Sequence, residues 1–106
     1  MGDGERIGRY VRMVARPGRG EALADALLRV AERFAGAPGC ELYLVNLSAD
    51  EPDVVWITEL WTDEAASERI LGGELGETGI GDVVEHLAEP PQLVELRPLG
   101  GAGATA

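Results

Sequence analysis

Two patterns of apolar residues, one typical of a strand and one typical of a helix, follow one another along this chain and predict its first two elements. Residues 7–15 are rich in strand-forming side chains and stop at residues 16–20, where a proline and two glycines favour a turn. Apolar side chains then recur at i, i+4, i+7 and i+11, which predicts one helical stripe of Leu23, Leu27, Val30 and Phe34. Gly36 and Pro38 predict the end of this helix.

Two further strands are predicted at residues 40–48 and 54–62, joined by a hairpin loop at residues 49–53. Apolar residues occupy both faces of each strand. In the first of them, one face is expected to carry Cys40, Leu42 and Leu44. An antiparallel sheet with one wet face alternates between apolar and polar side chains. We therefore expect the second face of this sheet to be covered.

The second half of the chain is predicted to add two helices and a strand. Asp63 is a good N-cap for a short helix to about Leu71, because its carboxylate can accept hydrogen bonds from the first turn. Residues 72–81 hold five glycines and predict a mobile connection; a role as a lid and plain flexibility both stay open. A further helix over residues 80–88 is expected to bury Val83, Val84 and Leu87. Residues 92–98 form the last predicted strand.

This order of elements predicts an α+β fold. It is the ferredoxin-like split βαβ arrangement, a four-stranded antiparallel sheet with helices on one face. We expect residues 1–106 to form a single domain with a core over about residues 7–99 and a flexible tail at 100–106. Two such sheets packed face to face would cover the remaining apolar surface, so we predict a homodimer that forms an α+β barrel.

The net charge, the apolar runs and the cysteine count argue against several classes of binding partner and site. The 106 residues include 19 Asp and Glu against nine arginines and no lysine, a net charge of −10 that argues against nucleic-acid binding. No apolar run reaches the roughly 18–20 residues that a bilayer helix needs, and we expect no signal peptide. The single cysteine, Cys40, excludes an internal disulfide and a multi-cysteine metal site. These features predict a cytoplasmic protein without membrane contacts.

Several short segments, in order, resemble the antibiotic biosynthesis monooxygenase family. The similarity extends from about residue 8 to residue 101. It is carried by Arg16-Pro17-Gly18, Ala37-Pro38-Gly39-Cys40, Glu59-Leu60-Trp61, Thr62-Asp63-Glu64-Ala65-Ala66 and Leu96-Arg97-Pro98-Leu99-Gly100-Gly101.

The resemblance implies a dimeric α+β barrel with a pocket between each sheet and its own helices. Characterised relatives include oxygenases that turn phenols and quinols of polyketide origin into quinones without metal, flavin or haem, and other relatives degrade haem. In the oxygenases the deprotonated substrate supplies the electrons to dioxygen, while the protein supplies a dry cavity and a few polar groups. We therefore expect no cofactor and no metal, with a small aromatic substrate and dioxygen as partners.

Two positions depart from patterns seen in this family. Many members carry a histidine nine residues after the tryptophan, where this chain has Ile70, and some carry an asparagine four residues before it, where this chain has Ile57. Of the Asn–Trp–His set of the haem degraders only Trp61 is present, which disfavours haem degradation. By resemblance, Ile57 and Ile70 fall at substrate-binding positions.

Trp61, Glu59 and Arg12 are the candidate catalytic residues. Trp61 and Glu59 are two apart on one strand and share a face, so an aromatic substrate could meet the indole while the carboxylate acts as a base. Alternatively, Trp61 is a core residue and Glu59 pairs with an arginine across the sheet. Arg12 could stabilise a phenolate or superoxide, although pairing with Glu59 or Glu95 is the commoner role for such an arginine.

Tyr43 and Asn46 are candidate substrate-binding residues. They point to opposite faces of one strand, so at most one of them shares the pocket of Trp61. Tyr43 is equally suited to anchor a dimer interface. His86 is predicted to favour the dipole at the end of the last helix rather than to bind a metal.

These features predict a cofactor-independent monooxygenase that oxidises a phenolic or hydroquinone substrate, such as an aromatic polyketide intermediate. Two alternatives stay open. The same barrel could host a polyketide cyclase or isomerase, which needs no dioxygen, or a non-catalytic small-molecule-binding accessory protein, which binds without turnover.

Overall fold

The computed structural model describes residues 6–73 and 81–102, with the side chains of residues 70–73 excepted. The elements follow the predicted order: β1 (Ile7–Val14), α1 (Gly20–Phe34), β2 (Cys40–Leu47), β3 (Val54–Trp61), α2 (Glu64–Gly73) and β4 (Gln92–Leu96). The four strands form one antiparallel sheet in the order β2-β3-β1-β4. This architecture confirms the predicted ferredoxin-like α+β fold.

The register of the sheet decides which side chains share a face. Arg9 on β1 lies directly opposite Glu59 on β3 and Glu95 on β4. Tyr43 on β2 is the other cross-strand partner of Glu59. Because cross-strand partners project to the same side, these four residues line one face of the sheet, the face that α1 covers.

A bulge at the start of β2 changes which face Cys40 occupies. Cys40 pairs with Trp61 and Leu42 with Leu60, so one extra residue lies between them on β2. Cys40 therefore joins Tyr43 on the helix-covered face, whereas Leu42 and Leu44 lie on the other. The prediction of one face for all three was wrong, because simple alternation ignores the extra residue.

The core forms where the apolar stripe of α1 packs on the sheet. Its fully buried side chains are Leu23, Leu27 and Phe34 from α1 and Val55, Ile57 and Trp61 from β3. At roughly 1.5–3 kcal/mol for each large apolar side chain, this contact is the main source of stability. It confirms the stripe predicted from the sequence.

Two hydrogen bonds to the Asp53 carboxylate fix the turn between β1 and α1. The Asp53 carboxylate accepts hydrogen bonds from the backbone N–H groups of Gly18 at 3.0 Å and Gly20 at 2.9 Å. Gly18 has φ of 81°, and a Cβ at Gly20 would collide with the carbonyl of Pro52. Only glycine fits both positions without strain, so the turn chemistry sets where α1 begins.

The second face of the sheet is apolar and carries no cover from the described residues. Its exposed apolar side chains are Tyr10, Leu42, Leu44, Val94 and Leu96, and Trp56 lies among them half-buried. We call this surface the open face. It matches the prediction that both faces of the strands are apolar.

The region before β4 differs from the prediction. Residues 81–84 are helical, but a turn follows and Leu87 forms an isolated bridge with Ala15. Val83 is buried whereas Val84 is 54% exposed, so the expected helix over 80–88 is wrong beyond residue 84. β4 ends at Leu96 rather than at residue 98. The predicted mobile connection at residues 72–81 falls largely outside the described residues.

Within the described ranges, no helix combines the length and the apolar character that a membrane span requires.

Candidate functional site

A cavity of about 280 Å³ lies between the helix-covered face of the sheet, α1 and the segment before β4. Its wall is mostly apolar and includes Val11, Met13, Leu27, Val30, Val83 and Leu87. Two polar side chains, Tyr43 and Glu59, line it as well. An apolar cavity with a few converging polar groups is the usual form of a small-molecule site.

Glu59 is the buried carboxylate of this cavity. Its Oε1 accepts a hydrogen bond from Nε1 of Trp61 at 2.9 Å and one from Nη1 of Arg9 at 3.3 Å. Glu59 is only 7% exposed, and burial of an ionised carboxylate is costly unless it is paired. Arg9 and Trp61 supply that pairing, so the charge is held in place.

The second oxygen of Glu59 remains available. The hydrogen bonds from Arg9 and Trp61 both end on Oε1, and no donor among the described residues reaches Oε2. Since Glu59 lines the cavity, a ligand hydroxyl could donate to Oε2. The site therefore offers one strong acceptor that none of the described residues uses.

Arg9 is held by two side chains besides Glu59, those of Ser67 and Glu95. Its Nη1 donates to Oγ of Ser67 at 2.6 Å, and its Nε lies 3.9 Å from Oε2 of Glu95. Ser67, on α2, is fully buried. Three elements, β1, β3 and α2, are thus joined through one guanidinium.

Tyr43 is the second polar group of the cavity. Its ring meets Phe34 edge-on at 5.0 Å between centroids. Burial raises the pKa of the Tyr43 hydroxyl well above its usual range, and the negative charge of Glu59 adds to the effect. The hydroxyl therefore stays protonated at neutral pH and can serve only as a donor or a weak acceptor.

Cys40 lies at the edge of the same polar region. Its pKa is also raised, first by burial and then by the charge of Glu59. The thiol is therefore protonated near neutral pH and is a poor nucleophile.

The structure brings together some of the predicted site residues. Glu59 and Tyr43 face the cavity. Trp61 is fully buried behind Glu59, with its ring 5.7 Å from that of Phe34, and does not line the cavity wall. Ile57 is buried in the core of the same face. Ile70 belongs to α2, and its side chain is outside the described residues.

Arg12 and Asn46 lie on the open face, separated from Glu59 by the sheet. Arg12 lies over Trp56 at 6.0 Å and 3.9 Å from a carboxylate oxygen of Glu89, rather than beside Glu59 or Glu95. Asn46 donates to the carbonyl of Trp56 at 3.2 Å. Their cross-strand partners place both on that side, so neither reaches the cavity described above.

Arg9 and Ser67 were missed by sequence reasoning. Arg9 shares its strand parity with Val11 and Met13, which was a usable signal once that face was known to be covered. The cross-strand register between β1 and β3 decides that Arg9, and not Arg12, meets Glu59. That register cannot be read from the sequence, and no sequence signal pointed to Ser67.

A larger concave surface of about 510 Å³ lies on the open face, lined by Tyr10, Leu44, Asn46, Trp56 and Thr58. None of these five lining residues is a carboxylate or a cation. This region is the bare surface of the sheet rather than an enclosed site. We therefore place the candidate chemistry in the smaller cavity with the buried Glu59.

In the part of the chain that the structure describes, no three His, Cys, Asp or Glu side chains are grouped to hold a metal ion. His86 has a buried Nδ1 that meets no hydrogen-bond partner there, and its Nε2 lies 3.8 Å from Oε2 of Glu85. His86 does not line the cavity.

Solved structures share this fold over nearly the whole chain. A protein from Chloroflexus aurantiacus, provisionally described as an antibiotic biosynthesis monooxygenase, is 28% identical, with a TM-score of 0.79 over 92% of this chain and 97% of that one. A protein from Nitrosomonas europaea with the same provisional description is 20% identical, with a TM-score of 0.84 over 97% and 99%. SnoaB from Streptomyces nogalater, described as a cofactor-independent oxygenase, is 15% identical, with a TM-score of 0.79 over 94% and 99%.

The last two likenesses show a shared fold alone, because their identities are low. No curated protein matches the sequence of this chain. The sequence model for antibiotic biosynthesis monooxygenases matches residues 6–74, well over half of the chain, from β1 to the end of α2. The chain therefore belongs to the antibiotic biosynthesis monooxygenase family.

Proposed function

We propose that this protein is a cofactor-independent monooxygenase that oxidises a phenolic or hydroquinone substrate, such as an aromatic polyketide intermediate, to a quinone with dioxygen. The observation that carries the proposal is Glu59, a buried carboxylate in an apolar cavity whose Oε2 accepts no hydrogen bond from the described residues. Membership of the family supports the class of reaction.

Glu59 is proposed as the catalytic base. A phenol bound in the cavity donates its hydroxyl hydrogen to Oε2, and transfer of that proton leaves an electron-rich phenolate. For a phenol with a free para carbon, addition of one oxygen atom there and loss of the other as water gives the quinone. The substrate supplies all four electrons, so the equation phenol + O₂ → quinone + H₂O balances.

Tyr43 and Trp61 are proposed in supporting roles. The Tyr43 hydroxyl keeps its proton because burial raises its pKa, so it can donate to the phenolate oxygen or to a neighbouring carbonyl. Trp61 holds Oε1 of Glu59 through its indole N–H, which makes it a positioning residue. Arg12 and Asn46 are left out of the proposal because they lie on the open face.

We also propose that the protein is a homodimer formed through the open face. The apolar side chains there, such as Leu44 and Val94, are about half exposed in the single chain. Apolar patches of this kind on a small domain mark interaction sites. A second copy of the chain offers an equally apolar face to cover this one. The cytoplasmic location expected from the sequence stays a prediction.

Oxygen uptake tests the catalytic proposal. Metal-stripped protein is mixed with a small panel of anthrone-like and hydroquinone compounds, and dioxygen is followed with an electrode. We expect uptake with a quinone product, and a fall of about a hundred-fold or more in Glu59→Gln, since general bases contribute roughly that much. Glu51→Gln, in an exposed loop, is the matched control and should keep wild-type activity.

Absence of uptake in the wild type would contradict the oxygenase proposal. Product formation under nitrogen would then indicate a cyclase or isomerase. Saturable binding of the same compounds without any product would indicate a binding protein.

A further inference from the structure

The ion pair between Arg9 and Glu59 is unusually one-sided. Only Nη1 of the guanidinium reaches the carboxylate, 3.3 Å from Oε1. When an arginine and a carboxylate meet without competition, they frequently pair through two parallel hydrogen bonds to both oxygens. Such a fork would occupy Oε2 of Glu59 and remove the strong acceptor that the described residues offer in the cavity.

Two neighbours hold the guanidinium away from the fork arrangement. Nη1 donates to Oγ of Ser67 at 2.6 Å, a shorter bond than the one to Glu59. On the other side, Nε lies 3.9 Å from Oε2 of Glu95. Ser67 is fully buried on α2, so its hydroxyl is a fixed anchor, whereas the Glu95 side chain is 67% exposed and holds Arg9 more weakly.

We infer that Ser67 is a positioning residue that keeps Arg9 off the second oxygen of Glu59, so that Oε2 stays free for the hydroxyl of a phenolic ligand. The inference rests on the proposed function in one respect, that Glu59 is the group that meets the ligand. It adds a role for α2 at the site and a rule of selectivity, that a free hydroxyl binds better than its methyl ether.

Removal of the Ser67 hydroxyl has a defined consequence. In Ser67→Ala, Nη1 loses its shortest hydrogen bond, and the guanidinium, which already meets Oε1 of Glu59 at 3.3 Å, is free to turn further toward that carboxylate and engage Oε2 as well. A ligand hydroxyl must then compete with Arg9 for that oxygen. A methyl ether has no hydrogen to donate there, so its affinity should hardly change.

Equilibrium binding of a phenol and its ether tests this. The probes are 1-naphthol and 1-methoxynaphthalene, titrated into the full chain by calorimetry or fluorescence. The wild type should prefer 1-naphthol, and Ser67→Ala should lower that preference about five-fold, the factor expected for loss of one hydrogen bond. Ser48→Ala is the control, because its hydroxyl accepts hydrogen bonds from the turn amides of Asp50 and Glu51, away from Arg9 and Glu59.

A second variant tests the same inference if Ser67→Ala perturbs folding. Glu95→Gln removes the exposed charge beside Nε and should lower the preference in the same direction by a smaller factor. Equal preference for the two probes in the wild type, or an unchanged preference in both variants, overturns the inference.

The same titrations separate this inference from the oxygenase proposal. A preference that falls in the variants, in a protein that consumes no dioxygen, supports the positioning role and contradicts only the proposed reaction. Oxygen uptake by the wild type together with an unchanged preference in both variants overturns only the role of Ser67.

Discussion

At the scale of single residues, the site is organised around one buried charge. Arg9 and Glu59 are each less than a tenth exposed, and the Trp61 indole adds a hydrogen bond to the carboxylate. Two charges taken out of water gain little net stability from each other, but either one left alone is costly. The pair therefore makes the position of Glu59 specific rather than making the fold much more stable.

Removal of one partner should show this asymmetry. Arg9→Met leaves Glu59 buried and unpaired, and we expect the free energy of unfolding in urea to fall by about 3–5 kcal/mol. Arg6→Met breaks a more exposed pair with Glu41 and should cost less than about 1 kcal/mol. The double variant Arg9→Met/Glu59→Leu should regain most of the loss, and failure to regain it would contradict the pairing.

Tyr43 should make the protein sensitive to alkali. Its raised pKa means that the unfolded chain loses the phenolic proton first, so stability should fall as pH rises above about 10. Tyr43→Phe should be nearly neutral at pH 7 and should lose less stability between pH 9 and 11, as judged by thermal unfolding. Identical profiles for the wild type and Tyr43→Phe would rule out the effect.

At the scale of secondary-structure elements, α2 contributes to the candidate site through Ser67, which contacts Arg9. Its first turn is capped, because Oδ1 of Asp63 accepts a hydrogen bond from the backbone N–H of Ala66 at 2.7 Å. One residue further on, Ser67 meets Arg9. The cap predicted from the sequence therefore also helps to set the position of the buried serine.

Loss of this cap should cost a moderate amount. We expect Asp63→Ala to lower the free energy of unfolding by about 1 kcal/mol, since an N-cap is worth roughly that much. Asp50→Ala, at an exposed loop position, should change it by less than about 0.5 kcal/mol. Equal effects of the two substitutions in urea unfolding would contradict the capping role.

Element order and most strand positions could be predicted from the sequence, because apolar period and turn residues are local signals. The bulge that turns Cys40 to the helix-covered face could not, since one extra residue leaves no trace in the pattern. The pairing of Glu59 with Arg9 instead of Arg12 depends on a register between strands 50 residues apart in sequence. The segment after residue 84 was misassigned because its bridge to Ala15 is a tertiary contact.

At the scale of the whole molecule, one sheet has two different faces. The helix-covered face holds the cavity and the buried polar cluster, whereas the open face holds exposed apolar side chains and the aromatic pair Tyr10 and Trp56, 6.0 Å apart. A single domain of this size buries a limited share of its surface. Pairing of two open faces would add a second core without disturbing the cavity.

The assembly prediction can be tested by sedimentation. The wild type at micromolar concentration should sediment with twice the 11.2 kDa of one chain. Leu44→Glu places a charge on the open face and should give monomers, whereas Leu28→Glu, at an equally exposed position on α1, should leave the dimer intact. A wild-type monomer would contradict assembly through the open face.

The most direct test of the central claim is the fate of labelled dioxygen. Metal-stripped wild type is supplied with ¹⁸O₂ and an anthrone-like substrate, and product and water are examined by mass spectrometry. The proposed reaction predicts one labelled oxygen atom in each quinone, the other in water, and strong loss of labelled product in Glu59→Gln. A quinone without label, or label that persists equally in Glu59→Gln, would contradict the assignment of this site as a cofactor-independent monooxygenase.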